Sequence, residues 1–216
     1  MKFVVFDLDG TLVDSAPDMC AAVNRVLQAA GLGRIDTVQA RGFIGDGIDA
    51  FVERAWAAAG GRANRSGLRE AVDAFVDDYA RDPATLSRVY PGVSGTLEAL
   101  GARGCVLAVC TNKHQAIAER ILSRLGLISR FRCVLGGDRV AERKPAPAHL
   151  QQVLDEIGAD RSDALMVGDS AHDAEMARTA GVRCVLVTYG YGDPEAVPDV
   201  PRITRMSDLP AFVSRS

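Results

Sequence analysis

Short apolar runs alternate with amphipathic stretches along most of this chain, and this alternation restricts the possible folds more than any other feature. Between the later runs, as in 148–158, apolar residues recur at the three- and four-residue spacings of a helix. Strands joined by such helices pair in parallel through right-handed crossovers, with helices on both faces. The sequence therefore predicts an α/β fold with a doubly wound parallel sheet. The predicted strands lie at 2–6, 105–110, 131–135, 164–167 and 184–187.

One interval breaks the alternation, because about 90 residues separate the first apolar run from the second. A crossover needs only about 30 residues. Helical patterns fill the interval: the first starts at Ser15, which we expect to cap a helix carrying Asp18 three residues on, and others follow at about 48–59 and 68–81. No strand pattern is seen there, so the sequence predicts an all-helical insert.

The expected domain boundaries follow from this insert. Residues 1–15 and 83–216 should form the core around the parallel sheet, and residues 16–82 should form the helical domain. We expect hinges near 13–16 and 82–87, where the chain passes between the two.

Charge and composition exclude several classes of protein. Lys and Arg total 25 against 28 Asp and Glu, a net charge of −3, which is too balanced for a protein that binds the phosphate backbone of nucleic acid. No apolar run approaches the ~20 residues that span a bilayer. The apolar stretch that ends at Phe6 is too short for a signal-peptide core, so we expect a cytoplasmic protein with no membrane partner. Five cysteines without a CxxC pair indicate reduced thiols and no zinc site.

Two carboxylates follow the first predicted strand, at Asp7 and Asp9. The carboxyl edge of an open α/β sheet is where ligands bind. Two acids so close repel each other unless a cation lies between them, which suggests either Mg²⁺ or one acid acting as a proton donor. Gly10 then allows the backbone to approach an anionic ligand. The alternative is a pair of solvated acids in a turn.

Polar residues also follow the next two predicted strands. Thr111 and Asn112 can offer a hydroxyl and backbone amides to a phosphate at a helix N-terminus, although a simple helix cap would look the same. Lys144, followed by Pro145, can deliver a point charge to a phosphate, and its alternative is a solvated surface lysine.

Two further carboxylates follow the fourth predicted strand, at Asp169 and Asp173. Being four residues apart at a helix start, both can face the strand end. With Asp7 and Asp9 they would complete the oxygen-rich site that Mg²⁺ selects. Asp169 could instead merely cap the helix. The joint placement of all these groups on one sheet edge favours the functional interpretation.

Together these segments resemble the four motifs of the haloacid dehalogenase superfamily of phosphatases. The matching stretches are FDLDGTLVDS, VCTNK, the Lys144–Pro145 step and VGDSAHDAEMA. Others resemble its phosphoglycolate phosphatase branch, namely APDMCAAVNRVL, RGFIGDGIDAFVERA, VYPGV, GGDRVAERKPAPAHL and TYGYGD. The resemblance spans nearly the whole chain. It implies a Rossmann-like core with a mobile helical cap inserted after the first strand.

The resemblance also implies roles for the polar residues. Asp7 would be the nucleophile that forms an aspartyl phosphate, and Asp9 would first protonate the leaving oxygen and then activate water. Thr111 and Lys144 would hold the phosphoryl oxygens, with Asn112 assisting. The metal ligands implied for Mg²⁺ are Asp7, the Asp9 carbonyl and Asp169. Asp173 would lie behind these ligands without binding the ion directly.

The chain departs from the family pattern at two positions. His172 stands where relatives commonly have Asn, and Asp46 stands between Gly45 and Gly47 where the branch often has GNG. An extra carboxylate near the substrate tail disfavours an anionic substrate unless that carboxylate points away or pairs with an Arg. Arg41 is the candidate cation for a substrate carboxylate, and its alternative is a solvated helix-end residue.

The sequence thus predicts a magnesium-dependent phosphatase for a small phosphorylated metabolite, most plausibly 2-phosphoglycolate, in a monomer or weak homodimer. Other sugar or amino-sugar phosphates are alternative substrates, and a sugar-phosphate mutase is an alternative activity. A non-enzymatic receiver-like module that accepts a phosphoryl group on Asp7 is a third, and Asp9 argues against it because it provides for rapid hydrolysis. His114 and His149 lie near predicted helix starts, where we expect them to be solvated.

Overall fold

A computed structural model describes residues 2–62 and 64–213 of the chain. Six strands form one sheet in the order β5-β4-β1-β6-β7-β8, and all its neighbouring pairs are parallel. Counted along the chain among themselves, these six strands have the order 3-2-1-4-5-6, which is the Rossmann order. The predicted doubly wound, Rossmann-like α/β fold is confirmed. The strands are β1 (Phe3–Phe6), β2 (Val13–Asp14), β3 (Arg88–Val89), β4 (Val106–Thr111), β5 (Cys133–Gly136), β6 (Ala164–Gly168), β7 (Arg183–Val187) and β8 (Arg202–Ile203).

Helices cover both faces of this sheet. Alternate residues of β1 enter two separate apolar clusters, Val4 and Phe6 in one and Val5 in the other, and all three are fully buried. The burial of both faces explains why the strands read as continuous apolar runs. The helices are α1 (Ala16–Ala29), α2 (Thr37–Phe43), α3 (Ile48–Ala58), α4 (Arg65–Arg81), α5 (Val93–Ala102), α6 (Gln115–Arg124), α7 (Pro147–Ile157) and α8 (Ala171–Ala180).

Helices α1 to α4 occupy the interval between β1 and β4. Their apolar faces meet in an aromatic row, with ring centroids 5.3 Å apart for Phe51 and Phe75 and 5.4 Å apart for Phe75 and Tyr79. All three rings are buried, so α3 and α4 pack against each other through them.

Four short elements were not predicted. Helix α2 has only seven residues, although a capping box between Asp36 and Gln39 precedes it and its D-x-x-Q signature was present in the sequence. Strands β2 and β3 pair antiparallel next to the expected hinges, through two residues each. Strand β8 adds two residues to the edge of the main sheet. Periodicity needs longer windows than these elements provide.

The predicted capping role of Ser15 is wrong. Its backbone is in the α region, with φ −98° and ψ −7°, and its side chain makes no capping hydrogen bond to the helix. An N-cap residue normally has an extended backbone that turns its hydroxyl toward the first helical amides. The carboxylate of Asp18 instead accepts hydrogen bonds from the amides of Leu86 and Ser87, which anchors α1 to the segment that leads into β3.

None of the helices in the described ranges combines the length and apolar character that crossing a bilayer requires. The five cysteines all carry free thiols.

Candidate active site

The polar residues picked out in the sequence converge at the carboxyl edge of the main sheet. Asp7 follows β1, Thr111 ends β4, and Asp169 follows β6, while Lys144 reaches in from the segment between β5 and α7. All four line one cleft of about 390 Å³, whose other side is formed by α2, α3 and the loop between them. Because neighbouring parallel strands end at the same edge, residues far apart in sequence meet there.

Asp7 and Lys144 form a buried ion pair beneath the cleft. Lys144 Nζ lies 2.7 Å from Asp7 Oδ1 and 2.8 Å from Asp173 Oδ1, and its side chain is 3% exposed. Burial raises the pKa of Asp7 well above its ordinary value, as do the charges of Asp173 and Asp169, while Lys144 opposes the rise. Lys144 thus opposes, but does not cancel, the three influences that favour the protonated form of Asp7.

Asp9 has a separate set of partners. Its Oδ1 accepts a hydrogen bond from the hydroxyl of Ser15, and its Oδ2 lies 3.1 Å from Nζ of the buried Lys113. The two acids of the D-x-D segment thus each have a lysine partner. The motif that contains Lys113 indicates no role for this residue, because a buried lysine cannot be distinguished from a surface lysine by its sequence pattern.

Asp169 is held by backbone amides beside Asp7. The amides of Tyr191 and Gly192 donate to its Oδ2 at 2.6 and 3.1 Å. Burial and the nearby charge of Asp173 nevertheless raise the pKa of Asp169 to about 6. Gly10, at φ +81°, must be glycine because a Cβ there would overlap this carboxylate.

Three carboxylates of this edge lie close enough to hold one metal ion. Asp7, Asp169 and Asp173 each place one oxygen within 4.8 Å of the others. Asp173 already accepts hydrogen bonds from Lys144 and from the hydroxyl of Ser170, at 2.8 and 2.7 Å. Both oxygens of Asp173 therefore already have hydrogen-bond partners.

Thr111 and Asn112 line the cleft from the end of β4, which lies on the other side of β1 from β6 and Asp169. Thr111 is 1% exposed, and its hydroxyl oxygen accepts a hydrogen bond from the amide of Lys113 at 3.2 Å. The side-chain amide of Asn112 donates to the carbonyl of Gly45 at 2.9 Å and to that of Lys144 at 3.1 Å. Asn112 thus connects the loop between α2 and α3 to the sheet edge.

Arg41 lines the cleft from α2, and Asp14 pairs with it. The distance from Arg41 Nη2 to Asp14 Oδ2 is 2.8 Å, and the arginine side chain is 46% exposed. The hydroxyl of Tyr191 donates to the other oxygen of Asp14 at 2.7 Å. Arg41 therefore lies at the rim, with one donor engaged and part of its guanidinium open to solvent.

The two departures from the family pattern contact each other. Asp46 accepts a hydrogen bond from Arg54 of α3, and its Oδ1 lies 3.2 Å from Nε2 of His172 at the start of α8. Asp46 is thus a paired carboxylate that joins the loop between α2 and α3 to the core. No single-sequence pattern predicts such a contact, since the two residues are more than a hundred positions apart.

The expected exposure of His149 is wrong. The ring is fully buried, and Nε2 lies 3.3 Å from the carbonyl oxygen of Leu135. Burial, together with the charge of Lys144, lowers the pKa of His149 to about 4, so the ring is neutral near pH 7. His149 lies in the first turn of α7 and is nevertheless buried, so a position near a helix start does not guarantee solvent exposure.

Comparisons with known proteins agree with this geometry. Residues 4–187 match the model of the haloacid dehalogenase-like hydrolase family. The chain is 43% identical over 194 residues to a phosphoglycolate phosphatase of Rhodospirillum rubrum, covering 88% of this chain and 80% of that protein. It is 42% identical over 191 residues to a phosphoglycolate phosphatase of Cereibacter sphaeroides, covering 88% and 87%.

Solved structures show the same similarity. The crystal structure of a predicted phosphoglycolate phosphatase from Haemophilus somnus superimposes with a TM-score of 0.92 at 32% identity, covering 99% of this chain and 98% of that one. The resemblance drawn from the motifs is confirmed. This chain therefore belongs to the haloacid dehalogenase-like hydrolase family.

Proposed function

We propose that this protein is a magnesium-dependent phosphomonoesterase that works through an aspartyl phosphate on Asp7 and hydrolyses 2-phosphoglycolate to glycolate and phosphate. The observation that carries the proposal is the contact of 2.7 Å between the Asp7 carboxyl group and the ammonium of buried Lys144 at the carboxyl edge of the sheet. A carboxylate so placed, at the floor of a cleft, can attack the phosphorus of a bound monoester. The names of the relatives support the choice of substrate.

The two acids divide the reaction between them. An oxygen of Asp7 forms a bond to phosphorus while the bond to the substrate alcohol oxygen breaks, and Asp9 gives that oxygen a proton. Asp9, now a carboxylate, takes a proton from water as the water oxygen attacks the phosphorus of the aspartyl phosphate, and the bond between phosphorus and the Asp7 oxygen breaks. Phosphate leaves, and both acids return to their starting state.

Thr111 and Lys144 bind the phosphoryl group in this scheme. Thr111 and Lys144 hold its non-bridging oxygens, where they stabilise the negative charge that develops during transfer. Asn112 assists by fixing the Gly45 carbonyl against the sheet edge, which keeps the loop over the cleft.

Mg²⁺ is the cofactor that the acidic residues fit. We assign Asp7, the Asp9 carbonyl and Asp169 as its ligands, with Asp173 behind them. Clustered, buried carboxylates with raised pKa values, such as Asp7 and Asp169, are stabilised by a divalent cation with a preference for oxygen. When bound, the ion offsets the repulsion between these acids and a phosphate dianion.

Residues 16–82 form the cap in this proposal, and residues 1–15 and 83–216 form the catalytic core. The short β2–β3 pair lies at the base of the cap, next to both hinges. Contacts from Gly45 to Asn112 and from Asp46 to His172 support a cap that closes over a small substrate and excludes water.

The pairing of Asp46 supports an anionic substrate. Because Arg54 and His172 engage its carboxylate, Asp46 is not an unpaired negative charge facing the cleft. Arg41 and Arg54 both line the cleft, so a carboxylate one carbon from the phosphoester meets cations there.

We expect phosphate release from 2-phosphoglycolate to require Mg²⁺. The test is a panel of phosphomonoesters assayed with Mg²⁺ and with excess chelator. Turnover that survives the chelator would contradict the cofactor assignment. A requirement for a bisphosphate activator would instead point to the mutase, and a single phosphorylation without turnover to the receiver-like module.

Replacing Arg41 should weaken the preference for a carboxylate-bearing substrate. We expect wild-type kcat/KM to be higher for 2-phosphoglycolate than for glucose 6-phosphate, and Arg41→Ala to narrow that gap through a higher KM. Steady-state kinetics on both substrates measure the two ratios. Arg25→Ala is the matched control, because Arg25 also pairs with an aspartate, Asp78, on an exposed surface and does not line the cleft. A wild-type preference for the sugar phosphate would discard the substrate, and an unchanged ratio in Arg41→Ala would discard only the role of that residue.

Metal binding should also stabilise the fold in a pH-dependent way. The pKa of Asp169 is about 6 in the folded chain, above its ordinary value of 3.8, so its stabilising contribution is present below about pH 4 and is lost as the pH rises through 6. Mg²⁺ binds the deprotonated form and should compensate for that loss. We therefore expect the rise in Tm on adding Mg²⁺ to be larger near pH 7.5 than near pH 5. Equal rises at both pH values in thermal melts would argue against Asp169 as a ligand.

A further inference from the structure

Lys113 is a buried cation to which neither the motifs nor the proposed mechanism give a task. It follows Asn112 directly, and its side chain is only 1% exposed. Its ammonium lies 3.1 Å from Asp9 Oδ2, 3.3 Å from the hydroxyl of Tyr79 and 3.4 Å from the sulfur of Met19. The ammonium also lies 4.8 Å from the centroid of the Tyr79 ring, which is within cation–π range.

These contacts keep Lys113 charged. Burial acts to lower its pKa, but the charge of Asp9 and the contact with Tyr79 outweigh it, and the pKa is raised. A buried ammonium persists only when it is paired and hydrogen-bonded, so the burial of Lys113 depends on these specific partners.

Asp9 is fixed from two sides as a result. Ser15 occupies Oδ1 and Lys113 occupies Oδ2, and among the described residues Lys113 is the only cation in an ion pair with this carboxylate. The other buried lysine of the cleft, Lys144, pairs with Asp7 and Asp173 instead. Asp7 and Asp9 therefore pair with different lysines.

We propose that Lys113 is a positioning residue that holds the Asp9 carboxyl group where it exchanges a proton with the leaving oxygen. The inference rests on the proposed function, since it assumes that Asp9 is the proton donor. Tyr79 belongs to α4 and Met19 to α1, so the position of Asp9 is also tied to two helices outside the sheet.

Dependence on the leaving group distinguishes this role from a merely structural one. The alcohol of 2-phosphoglycolate is a poor leaving group and needs a proton, whereas p-nitrophenolate leaves readily without one. Misplacement of Asp9 should therefore slow the first step for the alkyl ester far more than for the aryl ester. A general loss of structure would slow both alike.

The experiment is a single-turnover measurement with Mg²⁺ and enzyme in excess, following release of glycolate or of p-nitrophenol. Lys113→Met, which keeps the length of the side chain and removes its charge, should lose about 10- to 100-fold with 2-phosphoglycolate and less than about threefold with p-nitrophenyl phosphate. Lys113→Arg should keep the wild-type ratio of the two rates within about threefold. If circular dichroism shows that Lys113→Met does not fold, Lys113→Gln, which keeps a donor without charge, takes its place.

A double-mutant cycle tests whether Lys113 acts through Asp9. In the Asp9→Asn background, Lys113→Met should lower the single-turnover rate with 2-phosphoglycolate by less than a further factor of about two. The reason is that the carboxyl group positioned by Lys113 is already lost. Equal losses on both esters, or a full additional loss in the Asp9→Asn background, would overturn the inference while leaving the phosphatase assignment intact. A wild-type enzyme that hydrolyses neither ester would overturn both.

Discussion

Asp7→Asn should abolish turnover of every phosphomonoester while the protein stays folded. The carboxamide is nearly the same size as the carboxylate, so Lys144 can still donate to its oxygen and keeps its ion pair with Asp173. A neutral amide oxygen is a poor nucleophile, and loss of the attacking group should lower kcat by on the order of 10⁴-fold or more.

The measurement has to separate loss of the nucleophile from loss of structure. Circular dichroism and a thermal melt report the fold, and acid quenching during turnover followed by intact-mass analysis reports the phosphoryl adduct. Wild-type protein should show the adduct, Asp7→Asn should not, and Asp9→Asn is the matched control in which the nucleophile is retained. Residual turnover above a few per cent of wild type, with contamination excluded, would refute the assignment of Asp7.

The parts of the site that could be predicted from the sequence are those fixed by topology. Once β1, β4 and β6 are recognised as parallel neighbours, Asp7, Thr111 and Asp169 must share one edge, whatever the side chains around them do. The long apolar runs of the core give strong signals because both faces of the sheet are buried.

What could not be predicted depends on how separate segments lie against each other. Ser15 was expected to bond its own helix, but its hydroxyl bonds Asp9, six residues earlier. Asp46 and His172 were recognised only as departures from a pattern, and their contact exists because the loop between α2 and α3 rests on the start of α8. Such contacts follow from tertiary packing, and no periodic pattern in the sequence indicates them.

Lys144→Met should be damaging to stability as well as to catalysis. The ammonium neutralises Asp7 and Asp173 at 2.7 and 2.8 Å, and the side chains of both lysine and Asp173 are almost completely shielded from water. Methionine has a similar length, so the change creates little empty space. It leaves the two buried carboxylates without their cation. Removing one partner from a buried ion pair typically costs ~3–5 kcal/mol, which for a chain of this size lowers Tm by roughly 10 °C.

The direction of the pH dependence identifies the cause of that loss. Lys144 lowers the pKa of Asp7, so its removal should raise that pKa further above the ordinary value of 3.8. A carboxyl group with a raised folded-state pKa stabilises the fold at low pH, and this contribution is lost as the pH rises through that pKa. The difference in Tm between wild type and Lys144→Met, measured without Mg²⁺, should therefore grow as the pH rises from acid to neutral values.

Lys2→Met removes the same unit of charge from an exposed position and serves as the control for net charge. It should leave Tm and kcat near their wild-type values at every pH, since Lys2 is exposed and forms no ion pair with any residue that the structure describes. If Lys144→Met were as stable as Lys2→Met across this range, Lys144 would not be the group that offsets the negative charge of Asp7. The nucleophile would then need another source of stabilisation, and the division of the two acids between two buried lysines would not hold.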